Sequence, residues 1–225
     1  MNAISTTPFR DRADAGQRLG EEMKDRKLRD PLVLAIPRGG VVTGLALARV
    51  LNAELDVILS RKLRAPFQPE YAIGAISEDA LVTFHPEATG ACGVTDEYLT
   101  AEKRHQLAEI GRRKKLIRAI RPAARITGRS VIVTDDGIAT GSTMMAALQA
   151  VRAQHPHELI VAVPVASPDR LEQVRRFCDE VVCLLAPEDF SAVGQFYEQF
   201  DTVEDEEVVR LLREVFIAKD RAVPT

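Results

Sequence analysis

At 225 residues the chain has the length of one α/β domain with room for a small appended lobe. Its 46% hydrophobic content supports a core and excludes the disordered class, while 28% charged residues keep the surface polar. A net charge of -3 excludes bulk attraction to nucleic acid or anionic membrane, so any anion binding must come from local groups.

Met1 to Arg12 carries several charges and no apolar core, so no secretory segment is expected there. The apolar runs are far shorter than a membrane span, and a cytoplasmic location is expected. Asp11 to Leu28 has helical spacing, with Ala15, Leu19, Met23 and Leu28 facing inward. Leu32 to Ile36 is a short apolar strand, Pro37-Arg38-Gly39-Gly40 a turn, and Val41 to Leu51 a mostly buried helix. Leu55 to Leu59 is a second strand, which completes the βαβ pattern of a parallel sheet. Ser60-Arg61-Lys62-Leu63-Arg64 follows at its end, and a solvated loop is the plain account of those cations.

Tyr71 to Ile76 and Ala80 to Phe84 flank Ser77-Glu78-Asp79 as a hairpin. Thr95 to Ile120 is a long charged helix capped by Thr95, with Glu97 and Glu102 in its early turns. Ser130 to Thr134 is a strand and Ser142 to Gln154 a helix. Leu159 to Val163 and Glu180 to Leu184 are strands separated by a helix near Asp169 to Cys178. Glu204 to Ala218 is a terminal helix. The apolar strands alternating with helices predict a doubly wound, mostly parallel five-stranded sheet, with the hairpin and long helix inserted. No repeat or low-complexity linker interrupts residues 1–225, so a single domain is expected.

The cysteines Cys92, Cys178 and Cys183 lack C-x-x-C spacing, which fits buried reduced thiols rather than a disulfide frame or zinc site. His85, His105, His155 and His157 form no metal-ligand pattern. Charge is unevenly spread. Arg112, Arg113, Lys114, Lys115, Arg118, Arg121 and Arg125 make a basic run, whereas Asp179 to Glu207 holds ten acidic residues and no Lys or Arg. A solvated face is the commonest account of such runs. They could instead pair within the fold or across a homodimer. The lack of interleaved aromatics argues against a nucleic-acid surface.

Val131-Ile132-Val133-Thr134-Asp135-Asp136-Gly137-Ile138-Ala139-Thr140-Gly141-Ser142-Thr143 is the most informative stretch. An apolar strand leads into paired acids, a small hydroxyl-bearing loop and then a helix. The acids can accept hydrogen bonds from vicinal hydroxyls and help hold a divalent cation. Loop amides and the hydroxyls of Thr140, Ser142 and Thr143 can surround a phosphate, which the positive end of the following helix also favours. Hydroxyls beside a phosphate describe a sugar phosphate. A surface turn with Thr140 or Ser142 as helix N-cap is the plain alternative.

This stretch resembles the phosphoribosyl-diphosphate (PRPP) binding motif of type I phosphoribosyltransferases. The resemblance implies that Asp135 and Asp136 hold the ribose hydroxyls and contact magnesium directly or through water. It implies that Gly137, Ile138, Ala139, Thr140, Gly141, Ser142 and Thr143 bind PRPP, with the Ala139 to Thr143 loop holding the 5′-phosphate. By position, Arg38-Gly39-Gly40 resembles the family's pyrophosphate loop, where paired glycines admit an anion and Arg38 supplies a forked donor set. Arg61 and Lys62 are candidates for the basic residue facing the pyrophosphate; which of them points inward is not legible.

The 6-oxopurine branch has an aspartate where this chain has Ala139, so that specificity is not implied. Acceptor recognition in the family comes from a variable hood, here expected from residues 1–30 and 185–225. Phe190, Phe196, Tyr197 and Phe200 cluster there, as a base-stacking platform or as plain packing. Pro8-Phe9-Arg10-Asp11-Arg12 and Phe196-Tyr197-Glu198-Gln199-Phe200 extend the likeness to a group of predicted bacterial phosphoribosyltransferases. The expected function is magnesium-dependent transfer of phosphoribosyl from PRPP to a nitrogenous acceptor such as a nucleobase, within nucleotide metabolism. The alternative is a non-catalytic PRPP-sensing regulator or RNA-binding protein.

Overall fold

The computed structural model describes residues 9–84 and 94–221. His85, Cys92 and Pro8 lie outside them. Helix α1 (Arg12–Met23) starts where the Asp11 side chain accepts from the Asp14 amide, and stops short of the expected Leu28. Strand β1 (Leu32–Ala35), helix α2 (Gly39–Val50) and strand β2 (Glu54–Val57) form the first βαβ unit. Strand β6 (Ser130–Thr134), helix α4 (Ser142–Arg152), strand β7 (Glu158–Val165), helix α5 (Pro168–Arg175) and strand β8 (Glu180–Leu185) continue the pattern. Between these halves come β3 (Ser60–Ala65), β4 (Gln68–Ser77), β5 (Val82–Phe84) and α3 (Asp96–Arg118). A short 3-10 turn at Val193–Phe196 precedes α6 (Asp205–Arg221).

The main sheet is five-stranded and parallel, in the order β2-β1-β6-β7-β8. Leu32 sits beside Glu54 on one flank and Val131 on the other. Side chains alternate between faces, as a pleated strand requires. Val33 and Ala35 join Leu19, Leu47 and Leu212 in one core layer, whereas Leu32 and Leu34 join Leu148, Leu171 and Val174 in the other. Helices α1, α2 and α6 thus cover one face, and α4 and α5 cover the opposite one. This is the doubly wound sheet that the apolar strand pattern predicts.

One element departs from expectation. Ser60 to Ala65 is not a loop closing the second core strand. It is a strand of its own, antiparallel to β4, in a second sheet of order β3-β4-β5. Its sequence is dominated by the charged Arg61, Lys62 and Arg64, and its two apolar residues, Leu63 and Ala65, are buried in a core built with elements distant in sequence.

The strand order places the site. From β1 the chain runs outward to β2, and after the insertion it resumes on the other flank of β1 as β6. The loops leaving β1 and β6 therefore diverge, opening a crevice at the carboxyl ends of the strands.

Candidate active site

The loop after β1 lies directly against the acids that follow β6. Its Pro37–Arg38 peptide bond is cis, and α2 begins at Gly39. A Cβ on Gly39 would sit 2.0 Å from Asp136 Oδ2, and one on Gly40 would sit 2.9 Å from Asp135 Cα. The paired glycines are thus required by close approach to the acids.

Asp135 and Asp136 are adjacent but held in different ways. Asp135 Oδ1 accepts from the Asp136 amide at 2.9 Å. Burial, and then the neighbouring Asp136 charge, push the Asp135 carboxyl well above the usual carboxylate range. The Asp136 amide, Arg12 and the Gly40 amide oppose that rise. Asp136 Oδ2 accepts from Arg12 Nε at 2.7 Å, with side chains only 16% and 11% exposed. The Arg12 guanidinium also lies 3.8 Å from the centre of the Phe200 ring and donates from Nη1 to the Asp201 carbonyl at 2.7 Å. Arg12 is the residue sequence reasoning missed here. Its partner is 124 positions away, so no local spacing could signal the pair.

The hydroxyl loop is pinned at one end and open at the other. Ile138 is buried, and its amide donates to the Val165 carbonyl at 2.9 Å. Ala139, Thr140 and Thr143 are exposed. The N-cap position of α4 belongs to Gly141 at φ 79°, with no side-chain cap, rather than to Thr140 or Ser142. A left-handed glycine turns the chain into the helix and leaves those hydroxyls unspent on capping. Thr140 Oγ1 and Ser142 Oγ lie 3.1 Å apart.

A cleft of about 490 Å³ opens beside this loop. Thr140, Ser142 and Thr143 line one side, and Arg61, Lys62 and Arg64 of β3 line another, with Gln106, Glu109 and Arg113 of α3. Both Arg61 and Lys62 therefore reach it. Asp135, Asp136 and Arg38 are not among its lining residues. Arg38 Nη1 instead donates to Glu204 Oε2 at 2.6 Å, at the start of α6. The structure therefore gathers the acids with the glycine loop, and the hydroxyls with the β3 cations, in two adjoining halves.

The basic run is divided: Arg112, Lys115 and Arg125 are exposed, while others are drawn into the fold. Arg118 is 12% exposed and bonds Asp56 at 2.8 Å and Glu78 at 2.5 Å. Arg112 and Arg113 both meet Asp205, Lys114 meets Asp79, and Arg121 meets Glu54. These charges pair within the fold, including with the acidic run. Within the aromatic cluster Tyr197 is packing, whereas Phe200 is exposed. Tyr197 is buried beneath Phe9 and Phe200, with ring centres 5.4 Å and 4.9 Å away. Its hydroxyl donates to the Asp136 carbonyl at 2.5 Å.

A family model described as a phosphoribosyl transferase domain matches residues 12–201. This chain belongs to the phosphoribosyl transferase family. Two Mycobacterium tuberculosis proteins, from strains CDC 1551 / Oshkosh and H37Rv, each carry the name "Putative phosphoribosyl transferase". Each is 40% identical to this chain over 204 residues, covering 91% of it. The chain spans about half the length of these curated relatives, 46% of each. The crystal structure of TT1426 from Thermus thermophilus is 43% identical with a TM-score of 0.88, covering 92% of this chain and 98% of that one. This chain shares its fold with that structure. No helix among the described residues is long and apolar enough to cross a membrane. Cys178 and Cys183 are free, with thiols pushed up to about 11, chiefly by burial.

Among the described residues no group of three His, Cys, Asp or Glu is placed to hold a metal ion. The donor set that remains is the adjacent Asp135–Asp136 pair. Two carboxylates suit a magnesium ion that takes its other oxygens from substrate phosphate and water.

Proposed function

We propose that this phosphoribosyl transferase uses PRPP as donor, with magnesium, and transfers its phosphoribosyl group to a nitrogenous acceptor. One observation carries the reading. Two acids packed on a glycine loop adjoin an uncapped, hydroxyl-bearing helix start that opens into a cationic cleft. Diol, phosphate and diphosphate each find a matching chemistry there.

The acceptor nitrogen forms a bond to ribose C1 as the C1–oxygen bond breaks, and the electron pair leaves with pyrophosphate. Positive charge grows on the ring and negative charge on the leaving group, so the residues' work is orientation and charge stabilisation. Asp135 and Asp136 fix the ring through its hydroxyls. Gly137 to Thr143 bind PRPP, Ala139 to Thr143 anchoring the 5′-phosphate, and Arg38, Gly39, Gly40, Arg61 and Lys62 face the pyrophosphate. Asp135 and Asp136 would hold magnesium directly or through water, and the ion would supply charge neutralisation to the leaving group. Acceptor recognition is assigned to a hood from residues 1–30 and 185–225, as the family resemblance implies. The chain works in nucleotide metabolism in the cytoplasm.

Calorimetric titration with PRPP and magnesium tests the reading. Wild type is expected to bind, and Asp135→Asn/Asp136→Asn to lose about a hundredfold, as expected when charged hydrogen-bond acceptors are removed. No binding by wild type, or equal binding by the double variant, would overturn it. The alternative of a PRPP-sensing regulator predicts binding without pyrophosphate release across a panel of bases. RNA binding has less support, because Arg112, Lys114, Arg118 and Arg121 pair with carboxylates of the fold.

A further inference from the structure

We propose that the inserted helix α3 is a working wall of the donor site: Arg113 binds the diphosphate directly, and Gln106 is a positioning residue for Arg61. This rests on the donor reading above and adds to it residues from a segment outside the nucleotide motifs.

In a chain of net charge -3, Arg64 lines the cleft with Glu102 as its partner, and four further guanidiniums gather near it with incomplete compensation. Arg38 meets Glu204 at 2.6 Å. Arg112 takes Asp205 at 2.6 Å, leaving Arg113 to share the same carboxylate at 3.5 Å. Arg61 meets the neutral amide of Gln106. Burial lowers the proton affinity of Arg113, and Arg112, Arg38 and Arg61 lower it further against the pull of Asp205. Such crowding of like charge is relieved by a multivalent anion. Arg113 lines the cleft, is 28% exposed on its side chain, and offers a fork that matches phosphate oxygens. Glu109 also lines the cleft, and it offsets part of that excess.

Geometry supplies independent support. One face of α3 buries Glu102 and Gln106, one turn apart. Glu102 accepts from Arg64 Nε at 2.8 Å and Nη2 at 3.1 Å, and from Gln106 Nε2 at 2.8 Å. That last bond fixes the amide so that Gln106 Oε1 turns to Arg61 Nε, at 2.7 Å. A buried carboxylate thereby sets the amide's orientation, and the amide holds the exposed arginine at the cleft. An amide partner holds Arg61 without cancelling its charge, which a carboxylate would do.

The test titrates magnesium pyrophosphate, PRPP and ribose 5-phosphate into wild type, Arg113→Ala, Arg113→Lys, Gln106→Met, Arg61→Ala and the Gln106→Met/Arg61→Ala pair. Arg104→Ala, exposed on the same helix, serves as control. Loss of Arg113 should weaken pyrophosphate and PRPP about tenfold or more, with ribose 5-phosphate moved less than about twofold. Lysine at 113 should recover part of that loss. Gln106→Met should cost about threefold in pyrophosphate binding alone and nothing further once Arg61 is absent, as coupled residues require. Unchanged pyrophosphate binding in Arg113→Ala overturns the inference, as does an equal loss for ribose 5-phosphate, which would mark a general structural defect. An undiminished Gln106→Met effect in the Arg61→Ala background overturns the positioning role. If wild type binds pyrophosphate through Arg113 but neither PRPP nor ribose 5-phosphate, the donor reading fails while the anion wall stands.

Discussion

The crevice at the parallel sheet edge and the inserted hairpin with α3 both carry dense charge, but they hold it by different means. At the crevice, backbone does much of the holding: glycines let two loops touch and an amide bonds Asp135, while the distant Arg12 pairs with Asp136. In the insertion, side chains from distant positions do it, through the Arg118–Asp56–Glu78 and Arg64–Glu102 groups. A basic residue in this protein is structural when a buried carboxylate meets it and available to a ligand when none fully does. Arg118 and Arg113, five positions apart on one helix, stand on the two sides of that line.

The sharpest way to break the comparison is Arg118→Met. It would strand the Asp56 and Glu78 carboxylates, 2% and 8% exposed, without their partner. A loss of about 3–5 kcal/mol in denaturant-monitored stability is expected. A loss below about 1 kcal/mol would show that the insertion does not depend on its ion pairs.

Glu102→Gln comes next and carries a pH signature. Burial pushes the Glu102 carboxyl up, but hydrogen bonds from Arg64, Gln106 and the Arg64 amide outweigh it and hold it at about 2. A depressed carboxylate contributes stability that is present above its unfolded value and lost as pH falls through the folded one. Wild type should therefore exceed the variant by about 2 kcal/mol near neutrality, a figure discounted for the exposure of Arg64. That advantage should fade between the ordinary glutamate value of 4.5 and about 2. A constant gap across that window would remove the charge from the explanation.

Gly39→Ala tests the backbone side of the comparison. Its methyl would need the space of Asp136 Oδ2, so a stability cost of about 1–3 kcal/mol is expected from overpacking. PRPP binding should fall about tenfold or more as that carboxylate is displaced. Arg112→Ala should have the smallest effect, within about 0.5 kcal/mol, because its pair with Asp205 leaves Arg112 63% exposed on its side chain.

Much of this protein was written locally. Alternating apolar strands and helices determined the parallel sheet, and Val131 to Thr143 determined an acid pair beside a hydroxyl loop. Such features depend on neighbours within a few residues, which sequence displays directly. Tertiary structure alone decided that Ser60 to Ala65 is a strand, since its partner β4 and its covering helix lie further along the chain. It alone joined Arg12 to Asp136 and gave Arg118 to the fold while leaving Arg113 at the cleft. A lone basic residue looks the same in sequence whether or not a carboxylate awaits it. Burial and distance, which only the folded chain sets, make the difference.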